Sequence, residues 1–231
     1  SNMVLCVAGD QDPEKIVEIA RRVLPKEPGE VPRRAYGPEE ALTPVAVYAE
    51  KKMAVGLPLF MAGCKLKAQK GGEEYLRQDL LANLASQVLM GRTAPLYIRL
   101  YTQGLINQNF YAGYEAAAGA ATFIFGGESA DPRKVFDEVL AETERMAKEG
   151  IDPKLFDTTK KMFYGTFIRG LNSFSNLCHT RAVAHFRGYD VYRISEILLE
   201  FTADDVAAFI RDQLKKERFA LNAIFPVEQG A

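Results

Sequence analysis

Histidine and cysteine are scarce in this sequence, which limits the metal and redox chemistry open to the chain. Its 231 residues include two histidines and three cysteines, Cys6, Cys64 and Cys178. Two histidines cannot supply a three-histidine zinc site. The cysteines are far apart and odd in number, so we expect no zinc knuckle, redox pair or disulfide framework. Reduced, mostly buried thiols are the expectation.

Long runs of one charge and long apolar runs are also missing. Lys plus Arg total 29 against 30 for Asp plus Glu, and no Lys/Arg run exceeds two residues. Partners of high negative charge, such as nucleic acid or an anionic membrane, are therefore not expected. Apolar stretches such as MAVGLPLFMAGC are too short and too interrupted by Gly and Pro to cross a bilayer, and the opening residues do not resemble a signal peptide. We expect a soluble, cytoplasmic protein.

The first 44 residues predict a strand, a helix and a linker. The stretch MVLCVAGD is nearly all apolar, which is typical of a buried strand, and DPEKIVEIARRVL begins with the Asp-Pro pair of a capped helix. A strand needs hydrogen-bonding neighbours from elsewhere. Five of the eleven prolines then fall in residues 25–44, as in an extended linker. We assign 1–24 to the end of a preceding homologous domain, 25–44 to a Pro-rich linker and 45–231 to a C-terminal domain.

The C-terminal domain has the pattern of an α+β fold. Strands are predicted at 46–50, 55–66, 109–117, 120–127 and 218–225. The segment EEYLRQDLLANLASQVLMG has apolar residues every three or four positions, which indicates a helix. Further helices are predicted around 93–104, from 131, from 152, and over 174–187, 190–200 and 203–216. This order favours an antiparallel or mixed sheet covered by helices on one face.

The residue types of hydrolytic enzymes do not form a recognisable site in this sequence. His179 and His185 are six residues apart, about 240° around a helix, so they point to different faces. Cys178 and His185 share a face but lie about 10 Å apart along it, too far for a nucleophile to contact its base. No nucleophile elbow, phosphate loop or dinucleotide fingerprint occurs. A hydrolase with Cys178 as nucleophile and His185 as base is one of three hypotheses for this chain, and the least favoured of them.

The stretch LASQVLMGRTAPLYIRLYTQGLINQNFYAGYE, together with SNMVLCVAGDQDPEKIVEIA and the linker, resembles the pitrilysin/insulinase family of zinc metallopeptidases. This family includes the mitochondrial processing peptidases, and the sequence looks most like its bacterial zinc-protease branch. The resemblance implies two homologous domains that face each other, with an inverted H-x-x-E-H zinc motif in the first. This chain resembles the second, so no cofactor is expected in it and zinc is expected in the homologous half.

The same resemblance implies a substrate-binding role for Arg99. In active members an arginine and a tyrosine seven residues later reach the substrate carbonyl. Here the seventh position is Ile106, which cannot donate a hydrogen bond to an oxyanion; loss of such a donor costs about 3 kcal/mol. Tyr111 and Tyr114 are the candidates to replace the missing tyrosine. Alternatively, this half only binds peptide, or Arg99 is merely a solvated or salt-bridged helix residue.

The leading hypothesis is a non-catalytic domain that encloses peptide substrates and pairs with a zinc-bearing homologous domain. The alternative is a structural or assembly subunit that binds no peptide, as resemblance to the metal-free core proteins of respiratory complexes would imply. A strand edge and apolar faces without an upstream domain would favour self-association, so we also expect a homodimer.

Overall fold

A five-stranded mixed sheet forms the centre of the computed structural model, which describes residues 3–25, 27, 29–30, 35, 41–117 and 119–227. The strands are β1 Tyr48–Met53, β2 Leu59–Leu66, β3 Tyr111–Ala117, β4 Ala120–Glu128 and β5 Phe219–Pro226. Their order across the sheet is β1-β5-β2-β4-β3. Only β1 and β5 run parallel; the other neighbours are antiparallel. The predicted α+β fold with a mixed sheet is confirmed.

Eight α-helices accompany the sheet in the part of the chain that the structure describes. They are α1 Pro13–Val23, α2 Gly72–Met90, α3 Pro95–Thr102, α4 Pro132–Glu149, α5 Pro153–Gly170, α6 Phe174–Arg187, α7 Arg193–Glu200 and α8 Ala203–Gln213. Asp12, Asp131 and Asp152 each precede a helix-opening proline and accept a backbone N–H from the first turn, as expected for N-caps. Among the described residues, no helix is both long and apolar enough to span a bilayer.

The two faces of the sheet differ because side chains alternate along each strand. In β2, Phe60, Ala62, Cys64 and Leu66 are buried. In β4, Ala121, Phe123 and Phe125 are buried opposite them. Leu59 and Met61 point to the other face and are exposed. The described helices therefore cover one face of the sheet, as predicted.

Helix α2 lies deep in the core, between the sheet and other helices. The predicted apolar face is buried except for the half-buried Leu81; its buried members are Leu76, Leu80, Leu84, Ala85 and Val88. Ala82, Leu89 and Met90, which lie outside that face, are buried as well. The helix contacts β3 on one side and α5 and α8 on others. Contact on several sides explains why the burial of α2 exceeds a single amphipathic stripe.

The N-terminal residues differ in part from the prediction. The helix is confirmed as α1, but residues 3–8 form no strand, because none of the five strands pairs with them. Helix α1 buries no side chain. Most of the predicted linker 25–44 lies outside the described residues. The assignment of residues 1–24 to a preceding domain stays a prediction.

Candidate functional site

Arg99 lies on α3 and forms ion pairs with α4. Its Nη2 donates to Glu138 Oε2 at 3.0 Å and lies 3.9 Å from Glu142 Oε2. The Arg99 side chain keeps 41% of its surface exposed. Arg99 is therefore a salt-bridged helix residue, which was one of the alternatives considered from the sequence, and part of its side chain remains open to solvent.

Glu142, the more distant of these two carboxylates, is only 5% exposed. Arg145 holds it with two hydrogen bonds, from Nη2 at 2.7 Å and from Nε at 3.2 Å, and these bonds raise the pKa of Arg145. Two hydrogen bonds from one guanidinium satisfy a buried carboxylate well. Arg99 is therefore the second cation beside an already neutralised Glu142, and its own ion pair is mainly with Glu138.

The tyrosines proposed to assist Arg99 lie on opposite faces of the sheet. Tyr114 points to the helix-covered face, where it is 8% exposed, and Gln78 Nε2 donates to its hydroxyl at 2.9 Å. Burial raises the Tyr114 pKa to about 12. Tyr111, three residues earlier, is 41% exposed on the other face. Ile106 is buried in the core, so Arg99, Tyr111 and Tyr114 do not converge on one point. Their substrate-binding role stays a prediction.

A second group of polar side chains surrounds Asp79 on α2. Arg187, at the end of α6, places its guanidinium 4.6 Å from the centre of the Tyr75 ring and donates from Nη2 to the Ala116 carbonyl at 3.1 Å. Tyr75 in turn stacks on Tyr189, with ring centres 6.3 Å apart. Arg187 therefore fastens the α6–α7 connection to both α2 and the edge strand β3.

Asp79 is the ionisable group of this cluster whose pKa is shifted into the physiological range. Burial raises the Asp79 pKa to about 6, and the nearby positive charge of Arg187 opposes that rise. A carboxyl with such a pKa can exchange a proton near neutral pH. The sequence carried one weak signal for this group, because Tyr75 and Asp79 are four residues apart and so share a helix face. The cluster contains no activated nucleophile and no metal-ligand set, so we assign it no reaction.

The cysteines and histidines form no catalytic pair or metal site in the part of the chain that is described. No three His, Cys, Asp or Glu side chains there are grouped to hold a metal ion. All three cysteines are free; burial raises the pKa of Cys64 to about 12. His185 is exposed, and it lines a shallow groove with Cys6 rather than with Cys178. Direct Cys178–His185 chemistry finds no support in this geometry.

Comparison with known proteins identifies the family. The family described as the Peptidase M16 inactive domain matches residues 1–163. The chain belongs to this family. The zinc protease YmfH of Bacillus subtilis is 27% identical over 231 residues, which is 98% of this M16 domain but 53% of YmfH. The resemblance to a zinc-peptidase family is thereby confirmed.

Solved structures share the fold. An M16-like peptidase from Alicyclobacillus acidocaldarius matches 94% of the M16 domain with a TM-score of 0.86 at 21% identity. The M16 inactive domain from Pseudomonas fluorescens matches 95% with a TM-score of 0.74 at 16% identity. This chain covers 52% of each of these two chains. It therefore spans about half the length of YmfH and of these two solved chains.

We expect Asp79→Asn to stabilise the M16 domain at neutral pH. Because the folded-state pKa of about 6 lies above the ordinary 3.8, the folded state holds its proton more tightly than the unfolded state. Stability from this group is full below pH 3.8, falls as the pH rises towards 6 and is lost above it. The Asn variant lacks that loss, so its free energy of unfolding at pH 7 should exceed that of the wild type by about 1–3 kcal/mol.

Urea unfolding of both proteins at pH 4, 5, 6 and 7 measures this difference, which should shrink towards pH 4. The matched control is Asp157→Asn, because that carboxylate is exposed and pairs with Lys161 on the surface; its effect should be small. An Asn variant that is less stable than the wild type at pH 7 would show that attraction to Arg187 outweighs the burial of the charge.

Proposed function

We propose that this chain is the non-catalytic half of a zinc-dependent peptidase, forming the chamber wall opposite the zinc and contributing to peptide binding. The observation that carries the proposal is the match of residues 1–163 to the M16 inactive domain. The relative YmfH, called a zinc protease, is about twice as long as this chain. A homologous, zinc-bearing half is the partner that we propose, with a cytoplasmic location.

The residues of this chain do not fit a zinc site of their own. Zinc in a catalytic site takes three protein ligands and leaves one position for water. His179 and His185 are exposed and six residues apart on α6, and the described residues include no suitable cluster. We therefore derive no step of peptide hydrolysis through a metal in this chain, and propose that zinc belongs to the homologous half.

Arg99 is the residue that we propose for peptide binding. Its guanidinium has five N–H donors, of which Nη2 is used by Glu138, and its side chain remains 41% exposed. Donors that are not engaged by Glu138 can bind a peptide carbonyl or carboxylate. Since an exposed ion pair contributes only about 0–1 kcal/mol, a peptide can displace Glu138 at little cost.

The zinc assignment is tested by metal analysis and peptidase assays on the purified chain. We expect less than stoichiometric zinc after dialysis and no hydrolysis of unstructured peptides, with or without added zinc. One tightly bound zinc per chain, together with hydrolysis that a chelator abolishes, would contradict the proposed division between the two halves.

Peptide binding is tested by titrating the chain with fluorescent, unstructured peptides of about ten to twenty residues. We expect weak affinity that falls several-fold in Arg99→Ala, because the free guanidinium donors are lost. Arg211→Ala is the matched control, since Arg211 is an exposed helix arginine that pairs with its neighbour Asp212. Equal affinities for the wild type and both variants would show that Arg99 does not bind the peptide.

The second candidate function is a structural or assembly subunit without a peptide-binding role. It is suggested by a likeness of fold alone: a chain of complex III from Candida albicans has the same fold, with a TM-score of 0.69 over 94% of this chain at 11% identity. Absence of any peptide affinity in the titration above, with the fold intact by circular dichroism, would favour this function over the first.

We also propose that the isolated chain forms a homodimer through the uncovered face of the sheet. Met53, Leu59, Met61 and Tyr111 expose apolar surface there. Light scattering should give the mass of a dimer at a protein concentration of tens of micromolar. Met61→Lys should lower this mass towards that of a monomer, because a buried, unpaired charge opposes association. Leu199→Lys, an equally exposed leucine on α7, is the control. A strictly monomeric wild type at that concentration would rule the homodimer out.

A further inference from the structure

Helices α5 and α6 are joined by a short turn at residues 171–173, and together they are called the hairpin here. The hairpin buries little of its own surface. The two helices have 18 and 14 residues, yet their fully buried side chains are only Phe156, Thr159 and Ala184. Most helical stability in proteins comes from burying one face. A hairpin of this length with so little buried surface offers much of itself to a partner.

Apolar side chains are concentrated towards the turn of this hairpin. Tyr164, Ile168 and Leu171 follow one another at four- and three-residue spacing, so they share one face. Phe174, the first residue of α6, lies just beyond the turn. All four are exposed, Phe174 by 63% and Ile168 by 42%. We call these four residues the hairpin stripe; a row of this kind is more typical of a binding surface than of a solvated helix.

A groove of about 250 Å³ borders the hairpin stripe. Its walls come from both helices, and they include Thr166, Phe167 and Leu177. Leu171 belongs to the groove and to the stripe, so the two are continuous. Asn176 Nδ2 donates to the Gly170 carbonyl at 3.1 Å, which ties the start of α6 to the end of α5. The groove is mostly apolar and has room for an apolar side chain.

The hairpin is also rich in basic residues. Residues 153–187 contain six Lys or Arg and one Asp, a formal charge of +5, whereas the whole chain has −1; the remainder therefore carries −6. The single acid, Asp157, is already paired with Lys161 at 2.6 Å. Arg169, beside the stripe, has no ion-pair partner among the residues that the structure describes. Arg169 is therefore the basic residue of the hairpin that is best placed to attract an acidic partner to the stripe.

The charge and the shape of the hairpin surface favour one kind of binding partner. Two copies that met through the same hairpin would place +5 against +5, which opposes a symmetric contact. A concave groove suits a discrete side chain, whereas a membrane would be met by a convex apolar tip. The remaining occupant is a protein segment that carries apolar side chains on one face and carboxylates beside them.

We infer that the α5–α6 hairpin binds an acidic amphipathic helix of a partner protein, with an apolar side chain in the groove and carboxylates near Arg169. Such helices recognise grooves through apolar residues at i, i+3/i+4 and i+7. The hairpin stripe has the complementary spacing. This inference does not depend on the proposed peptidase role, because it does not involve Arg99.

The test uses a designed fluorescent peptide of about 18 residues, five helical turns, with Leu at i, i+4 and i+7 and Glu beside them. A second peptide has Lys in place of each Glu. Fluorescence anisotropy should show at least tenfold tighter binding of the acidic peptide, weakening as salt is raised, since exposed charges are screened. Phe174→Ser and Arg169→Glu should each reduce that affinity at least tenfold.

The controls separate this surface from the rest of the molecule. Leu199→Ser and Arg211→Glu change an exposed apolar residue on α7 and an exposed arginine on α8, and both should leave acidic-peptide binding unchanged. Circular dichroism melting checks that each variant is folded; the substituted side chains are exposed, so little change is expected.

Three outcomes would overturn the inference. Equal affinity for the acidic and the basic peptide would show that the hairpin does not prefer an acidic partner. Binding to vesicles containing phosphatidylglycerol, with no binding of the acidic peptide, would make the surface a membrane contact. Self-association of the wild type that Phe174→Ser abolishes would make a second copy of this chain the occupant.

Discussion

The pairing of β2 with β4 is the constraint on which the rest of the fold depends. Their register directs Phe60 and Phe125 to the same face, and a slip of one residue would send every such side chain to the other face. Glycines help to fix this register. A Cβ on Gly126 would lie 2.4 Å from the Phe60 carbonyl, and one on Gly63 would lie 2.8 Å from that of Phe123. The strands approach so closely at these points that no other residue fits without displacement of the backbone.

Local patterns were sufficient to predict most of the fold. Asp-Pro pairs marked the starts of three helices, and alternation of apolar residues marked the strands of the sheet. The failure at residues 3–8 has a clear physical reason: an apolar run gives a segment the capacity to pair but supplies no neighbour. The deeper burial of α2 was also beyond local reasoning, because it depends on helices that follow it by many residues.

The candidate site was less predictable than the fold. The resemblance drew attention to Arg99, but its ion pair with Glu138 joins residues 39 apart in sequence. The cluster around Asp79 likewise needs Arg187 and Tyr189, more than a hundred residues away. The basic composition of residues 153–187 could be read from the sequence. The exposure of the apolar side chains in this segment could not be predicted from the sequence, because it depends on how little of α5 and α6 packs against the rest of the domain.

The position of β5 has a consequence for how the domain is made. This strand is the last described element along the chain, yet it lies between β1 and β2, and those two strands have no direct pairing with each other. During synthesis β1 therefore cannot pair with β5 until about 170 further residues have left the ribosome. Such long-range strand pairing is slow, and it leaves an unpaired strand exposed to aggregation in the meantime.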